Sequence, residues 1–202
     1  MDDVLRDYAT SASDLAPRFE ALRARDVLAP VLDHLPPPPA TIADIGAGTG
    51  RDAAWLAARG YRMTAVEPVS ELVSYGREAH GEVMSWVSDT LPDLDTLRGA
   101  ARRFDCVLAV SVWHHLSLSE SAAALRSLQE IVAQAGRVIL SIKVFAGDRE
   151  TLTLDQVQKQ AQDSGWRSVA TQRASSLQDH NRLAGNMWDW LVLARASGED
   201  RR

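Results

Sequence analysis

A glycine turn, two carboxylates and a pair of imidazoles are the residues of this chain whose types and spacing can do chemistry together. The turn is Ala43-Asp44-Ile45-Gly46-Ala47-Gly48-Thr49-Gly50-Arg51-Asp52, where an apolar run breaks into three glycines at alternate positions and then into a helical pattern. Glycines at a strand-to-helix junction let the backbone turn sharply and approach a ligand with no side chain in the way. The helix that follows points its free N–H groups and partial positive charge at the same place, which suits an anionic or hydroxyl-rich ligand. Glu67, in Val66-Glu67-Pro68, lies 21 residues after Gly46 and can accept both hydroxyls of a ribose. Asp89, in Val87-Ser88-Asp89-Thr90-Leu91-Pro92, can accept from an exocyclic adenine amine, with neighbouring backbone N–H groups and Leu91 framing the ring. Val110-Ser111-Val112-Trp113-His114-His115-Leu116 adds aromatic and imidazole groups. One of these imidazoles can take a proton from an oxygen or nitrogen nucleophile. Neighbours at a strand end point to opposite sides, so one histidine is expected to face the ligand; His114 is the first choice and His115 the alternative.

Residues so far apart meet only if strand ends gather them. The hydrophobic periods predict strands over 41–45, 62–66, 83–87, 104–110 and 137–143, and helices over 51–59, 70–79, 119–133 and 154–164, with one short helix within 92–101. This alternation forces a parallel, doubly wound sheet with helices on both faces, whose ligands bind beyond the carboxyl ends of the strands. Two further strand-like runs, 166–173 and 187–195, are joined by a polar loop without helical pattern, and they predict an antiparallel C-terminal hairpin completing a seven-stranded sheet. Before the first strand, two helical patterns over 2–15 and 18–35 meet at Pro17, read as a first-turn proline. They form a predicted N-terminal helical cap over 1–35, followed by a stiff proline-rich linker over 36–40 (Pro36-Pro37-Pro38-Pro39) and a core over 41–196. The last six residues, Ser197 to Arg202, are polar.

Composition narrows the classes. The chain has 202 residues, 46% hydrophobic and 24% charged, with a net charge of −5, which is the profile of one globular domain. No basic face is visible, which argues against a large nucleic-acid surface. The single cysteine, Cys106, cannot form an intrachain disulfide or a Cys-based zinc site, and no metal is expected. No apolar run reaches membrane-spanning length and Met1-Asp2-Asp3 is unlike a signal peptide, so a cytoplasmic setting is expected.

These segments resemble the class I S-adenosylmethionine-dependent methyltransferases. Asp44-Ile45-Gly46-Ala47-Gly48-Thr49-Gly50 is similar to the family's acidic-x-Gly-x-Gly-x-Gly signature, Val66-Glu67-Pro68 to its ribose-binding acidic turn, and Ser88-Asp89-Thr90-Leu91-Pro92 to its adenine segment. Phe104-Asp105-Cys106-Val107-Leu108 with Trp113-His114-His115-Leu116 resembles its fourth-strand motif, and the likeness extends through Gly136-Arg137-Val138-Ile139-Leu140. Gln134-Ala135-Gly136 stands where the family often has Pro-Gly-Gly, a difference in a turn. The N-terminal Tyr8 and Arg18-Phe19-Glu20 resemble the cap of small members, in which an early Tyr and Arg lie near the cofactor's amino-acid end.

The resemblance implies a Rossmann-like fold with S-adenosyl-L-methionine as cofactor, held by Tyr8, Arg18, Asp44, Gly46, Ala47, Gly48, Glu67, Pro68, Ser88, Asp89, Thr90, Leu91 and Val110. Asp44 either meets the cofactor's ammonium indirectly or braces the glycine turn. The methyl group is expected to face Trp113 and His114, and the acceptor to be a small molecule methylated on O or N, by a monomer or homodimer. The alternatives are a protein or tRNA acceptor, or a non-catalytic binding protein. A nicotinamide-dependent dehydrogenase shares the glycine turn and the acid after the second strand, but its fingerprint is Gly-x-Gly-x-x-Gly, not the Gly-x-Gly-x-Gly found here.

Overall fold

A computed structural model describes residues 2–146 and 152–196; the polar tail 197–202 lies outside the described residues. Seven strands form one sheet: β1 (Thr41–Ile45), β2 (Arg62–Val66), β3 (Ser85–Val87), β4 (Phe104–Ala109), β5 (Val132–Val144), β6 (Trp166–Ser175) and β7 (Met187–Arg195), in the order β3-β2-β1-β4-β5-β7-β6. All neighbours run parallel except β7, which is antiparallel to both β5 and β6. The expected hairpin is therefore present, with β7 inserted between β5 and β6. Strand order reverses at β1, so the crevice for a ligand opens between the carboxyl ends of β1 and β4.

Alternation along the strands divides the core. Ala43, Ile45, Val107, Ala109, Val138, Leu140, Leu191 and Leu193 face one side, under α5 (Asp95–Gly99), α6 (Leu118–Ile131) and α7 (Leu154–Asp163). Ile42, Cys106, Leu108, Ile139 and Val192 face the other, against α2 (Ala24–Leu28), the 3-10 turn Ala29–His34 and α3 (Arg51–Ala57). Burial pushes the Cys106 thiol up to about 12, so it is a small core hydrophobe and no nucleophile at neutral pH. Two helices start on reciprocal caps, Ser117 with Glu120 and Thr153 with Gln156, each satisfying two backbone donors. No helix among the described residues is long and apolar enough to cross a membrane.

The structure departs from the expectations in four places. Pro17 does not begin a second helix: α1 (Asp2–Glu20) runs through it, and the chain bends later, before Arg23. Proline in the last turn forfeits only one backbone bond near the frayed end, while Ala12 and Ala16 stay buried against Val69 and Leu72 of α4 (Ser70–His80). Leu28 and Val31 pack in the sheet's own core, so the second half of the N-terminal segment is core and not cap. Gln134-Ala135-Gly136 belongs to β5, which begins at Val132. A Cβ on Gly136 would lie 2.9 Å from the Phe104 carbonyl, which is why a glycine lets the strands close there. Finally, the loop before β7 contains a short helix, α8 (Asp179–Leu183). Five residues are too few to show a helical period in sequence.

Candidate functional site

A cavity of about 490 Å³ opens over the carboxyl ends of β1, β2, β4 and β5 and is roofed by α1 and α8. Its floor is the glycine turn. Gly46, Gly48 and Gly50 all take positive φ (69°, 59° and 75°), a region open to glycine and strained for other residues. The Gly46 and Ala47 N–H groups donate to the Val66 carbonyl, at 2.8 and 3.1 Å, which ties the turn to the end of β2.

Glu67 leaves the end of β2 and folds back into the turn. One carboxylate oxygen accepts from Gly48 N–H at 2.8 Å and the other from Val69 N–H at 2.9 Å. Burial raises its pKa and those two bonds partly offset the rise. Each oxygen keeps a second lone pair, so the carboxylate can brace the turn and still accept from a ligand. Asp89 likewise has a structural duty: it accepts from Thr90 N–H and from Leu97 N–H, both at 2.9 Å, capping α5 from outside the helix. Asp89, Thr90 and Leu91 line the cavity, as do Ala47, Pro68 and Val110, whereas Ser88 is not part of its lining.

Asp44 is buried and lines the same floor. Burial, then the neighbouring Asp52 carboxylate, hold its pKa well above the usual range. Asp52 is clamped by Arg51 through two bonds of 2.8 Å. The third arm of Arg51 donates to the Phe19 carbonyl at 2.7 Å, fastening the end of α1 to the glycine turn. Arg51 is thus the arginine in the cavity lining. Arg18 is exposed on α1 and outside the cavity lining. Adjacency to Asp52 at the first turn of α3 was the signal for Arg51, since a cation beside the acid keeps the charge of a buried helix start balanced.

A raised carboxyl pKa means that the folded protein binds the proton more tightly than the unfolded chain. The stability contribution of Asp44 is then best at low pH and is lost as pH rises from the ordinary carboxylate value to its raised one. Asp44→Asn is therefore expected to stabilise the protein without cofactor by about 1 kcal/mol or more at pH 7, with the advantage fading near pH 4. Thermal melts of the two proteins at both pH values check this; a lower melting temperature for the variant at pH 7 would contradict it.

The imidazole pair differs most from expectation. Trp113–His115 is a 3-10 turn, not a strand extension. It follows Ser111, which sits at φ 60° and donates its N–H to the Ser141 hydroxyl at 2.9 Å. The turn puts both His114 and His115 in the cavity wall, their rings 4.1 Å apart. Trp113 goes the other way: it is fully buried in the core and donates its indole N–H to Ser121 at 3.0 Å, so it does not face the ligand. Tyr8, in α1, closes the roof through a 3.1 Å bond between its hydroxyl and His115 Nε2. Burial lowers the His114 pKa to about 3, helped by His115 and by Lys143; burial and Lys143 lower that of His115 as well. Both rings are neutral at physiological pH.

Beyond the histidines the wall is Lys143, Trp188 and Trp190. Lys143 is the next-to-last residue of β5, directly across from Trp188 of β7, and its ammonium donates to Asn181 of α8 at 2.8 Å. Lys143 is one of only two lysines in a chain with 22 basic residues. A lysine at the carboxyl end of a central strand was a readable signal that sequence reasoning passed over.

Residues 42–136 match the sequence profile of a family described as Methyltransferase domain. An uncharacterized methyltransferase of Alkaliphilus oremlandii is 24% identical over 111 residues, which cover 52% of this chain and 46% of that relative, a little under half its length. Among solved structures, magnesium protoporphyrin IX methyltransferase from Synechocystis PCC 6803, with bound S-adenosylhomocysteine, shares the fold at a TM-score of 0.72 and 17% identity, over 97% of this chain and 100% of that one. The 1,6-didemethyltoxoflavin-N1-methyltransferase of Burkholderia thailandensis, with bound 1,6-didemethyltoxoflavin and S-adenosylhomocysteine, does so at 0.73 and 22%, over 96% and 88%.

Proposed function

We infer that this chain, whose residues 42–136 match a family described as Methyltransferase domain, is a class I S-adenosylmethionine-dependent methyltransferase that moves a methyl group from S-adenosylmethionine to an oxygen or nitrogen of a small-molecule acceptor in the cytoplasm. The observation that carries this reading is one cavity that joins an acidic, glycine-rich floor to a wall of aromatic rings, two neutral imidazoles and Lys143.

The residues fit the cofactor. Asp44 and Glu67 are carboxylates that burial disfavours, and a ligand bearing an ammonium, a sulfonium and ribose hydroxyls brings the positive charge and donors that such groups want. In this reading Glu67 accepts from the ribose, Asp89 with Thr90 and Leu91 frames the adenine, and Gly46, Ala47, Gly48, Pro68 and Val110 form the wall against which the nucleoside lies. Asp44 faces the ammonium, with Tyr8 above it. When bound, the cofactor supplies an electrophilic methyl group on a positively charged sulfur.

The remaining work is positioning. Holding two reactants in line is worth several kcal/mol of barrier, and α1 and α8 keep water out while that is done. His114, at a pKa of about 3, is too weak a base to hold a proton at pH 7. The two neutral imidazoles instead act as hydrogen-bond partners that orient the acceptor's O–H or N–H.

Calorimetric titration with S-adenosylhomocysteine and with a nicotinamide dinucleotide is the test, followed by assay of S-adenosylhomocysteine release on a panel of small molecules, peptides and tRNA. The expected result is saturable binding of the first ligand only, and turnover with small molecules. Lack of S-adenosylhomocysteine binding would overturn the reading. Turnover confined to peptide or tRNA would move the acceptor class, and tight binding with no turnover anywhere would make this a binding protein.

A further inference from the structure

We propose that cofactor binding at this site is an exchange of charge: Asp44 carries a proton in the protein without cofactor and yields it to water when the ligand's ammonium arrives, so that S-adenosylmethionine and a proton compete for one carboxylate. This rests on the methyltransferase reading above and adds a proton to what that site binds.

Of the carboxylates on the floor, Asp52, Glu67 and Asp89 are already held. Asp52 is clamped by Arg51, Glu67 accepts from the Gly48 and Val69 N–H groups, and Asp89 accepts from those of Thr90 and Leu97. Asp44 differs. It is 3% exposed and lies in the cavity lining, and among the described residues no group donates a hydrogen bond to its carboxylate. Its strand fixes it there. β1 lies between β2 and β4, with Asp44 in register with Ala65 on one side and Leu108 on the other, so the backbone cannot carry the side chain out to water. A buried carboxylate without donors is tolerated in its neutral form, because desolvation penalises the charge.

The groups that face Asp44 act in the same direction. From α3 it meets the Asp52 carboxylate and the Arg51 guanidinium, and from the end of β2 the Glu67 carboxylate. Arg51 is committed to Asp52 and to the Phe19 carbonyl, so these three carboxylates share one guanidinium. From β4 it meets Cys106, whose thiol is pushed up to about 12 and stays neutral. Tyr8 in the roof is raised as well, by burial and then by Glu67, and stays a neutral phenol. Burial and then Asp52 hold the Asp44 carboxyl well above its usual range. An ammonium beside it opposes both causes, since an opposite charge within about 4–6 Å favours the ionised form. The bound form then holds the proton less tightly than the free form, and binding expels it. By linkage, affinity grows with pH by up to about tenfold per unit, and levels off above the raised value of the free protein. Glu67 makes no such exchange: its two backbone donors partly offset the effect of burial, and its proposed partners, the ribose hydroxyls, bring no charge.

The test is calorimetric titration of the full chain with S-adenosylhomocysteine at pH 6 and pH 7, each in phosphate and in Bis-Tris, two buffers whose heats of protonation differ. 5′-Methylthioadenosine, which keeps the adenine and ribose and lacks the ammonium, is the control. The heat of S-adenosylhomocysteine binding is expected to differ between the buffers by the amount that reports release of about half a proton or more at pH 6. 5′-Methylthioadenosine is expected to release none. Asp44→Asn is expected to abolish the release, to flatten the dependence of affinity on pH between pH 6 and pH 8, and to weaken S-adenosylhomocysteine binding at pH 8 by about tenfold or more. Equal heats in the two buffers at both pH values, an equal release with 5′-methylthioadenosine, or an undiminished release in a folded Asp44→Asn protein would each overturn the proposal. The buffer comparison on the native protein decides even if the variant fails to fold or the control ligand binds too weakly to titrate. Binding without proton release overturns this proposal alone and leaves the methyltransferase reading standing, whereas absence of S-adenosylhomocysteine binding at every pH overturns both.

Discussion

Glu67→Ala is expected to reduce S-adenosylhomocysteine affinity at least about a hundredfold and to lower folding stability by about 2–4 kcal/mol. Two effects add. The variant leaves the Gly48 and Val69 N–H groups, both now bonded to the carboxylate, without an acceptor in a buried place, at about 1–3 kcal/mol each. It also removes the oxygen lone pairs proposed to meet the ribose, and a charge-assisted hydrogen bond contributes about 1.5–3 kcal/mol. Glu67→Gln separates these. Its single oxygen can serve only one of the two backbone donors, but it removes a carboxylate that burial disfavours, so stability should fall less while affinity still drops. Calorimetry and a thermal melt on the three proteins check both numbers. Affinity for Glu67→Ala within about threefold of native would remove Glu67 from ligand binding and leave it as a brace alone.

Gly46→Ala is the second large effect. A Cβ there would lie 2.2 Å from Val112 Cγ1, on a backbone at φ +69°. The left-handed conformation alone costs about 1–2 kcal/mol with a side chain, and the collision forces Val112, itself in the cavity wall, to move. The expected result is a loss of at least about 3 kcal/mol in stability together with tenfold or weaker cofactor binding. Gly48→Ala is the control, since it carries the same backbone cost at φ +59° but meets only the Phe19 ring, at an ordinary 3.5 Å. Adding Val112→Ala should rescue part of the Gly46→Ala defect and little of the Gly48→Ala defect. Equal defects in the two single variants, read by chemical denaturation, would show that the collision is not what matters.

The glycine turn, Glu67 and Asp89 were legible because a parallel sheet carries its chemistry at strand ends, and three strand ends were marked by local residue patterns. β1 and β2 fall on the residues expected, 41–45 and 62–66. What could not be read depends on backbone turns with no sequence signature. Ser111 in a left-handed conformation is unmarked, and it decides that both histidines face inward while Trp113 turns to the core. Arg51 was marked by its place beside Asp52 directly after the glycine turn, whereas the exposure of Arg18 depends on how α1 packs, which its sequence does not show. Pro17 reads as a first-turn proline by local preference, but it stands in the last turn of α1, where the burial of Ala12 and Ala16 outweighs the lost backbone bond.

The fastening of α1 has one more consequence. At its carboxyl end Arg51 holds the Phe19 carbonyl, and the Glu20 carboxylate is shared by Thr49 of the glycine turn and His80 of α4. Near its start a Tyr8–His115 bond spans the chamber. Between these two ends Ala12 and Ala16 pack against Val69 and Leu72. The helix therefore works as a strap that ties the acidic floor to the imidazole wall, and a substitution that loosens one mooring is expected to be felt at the other.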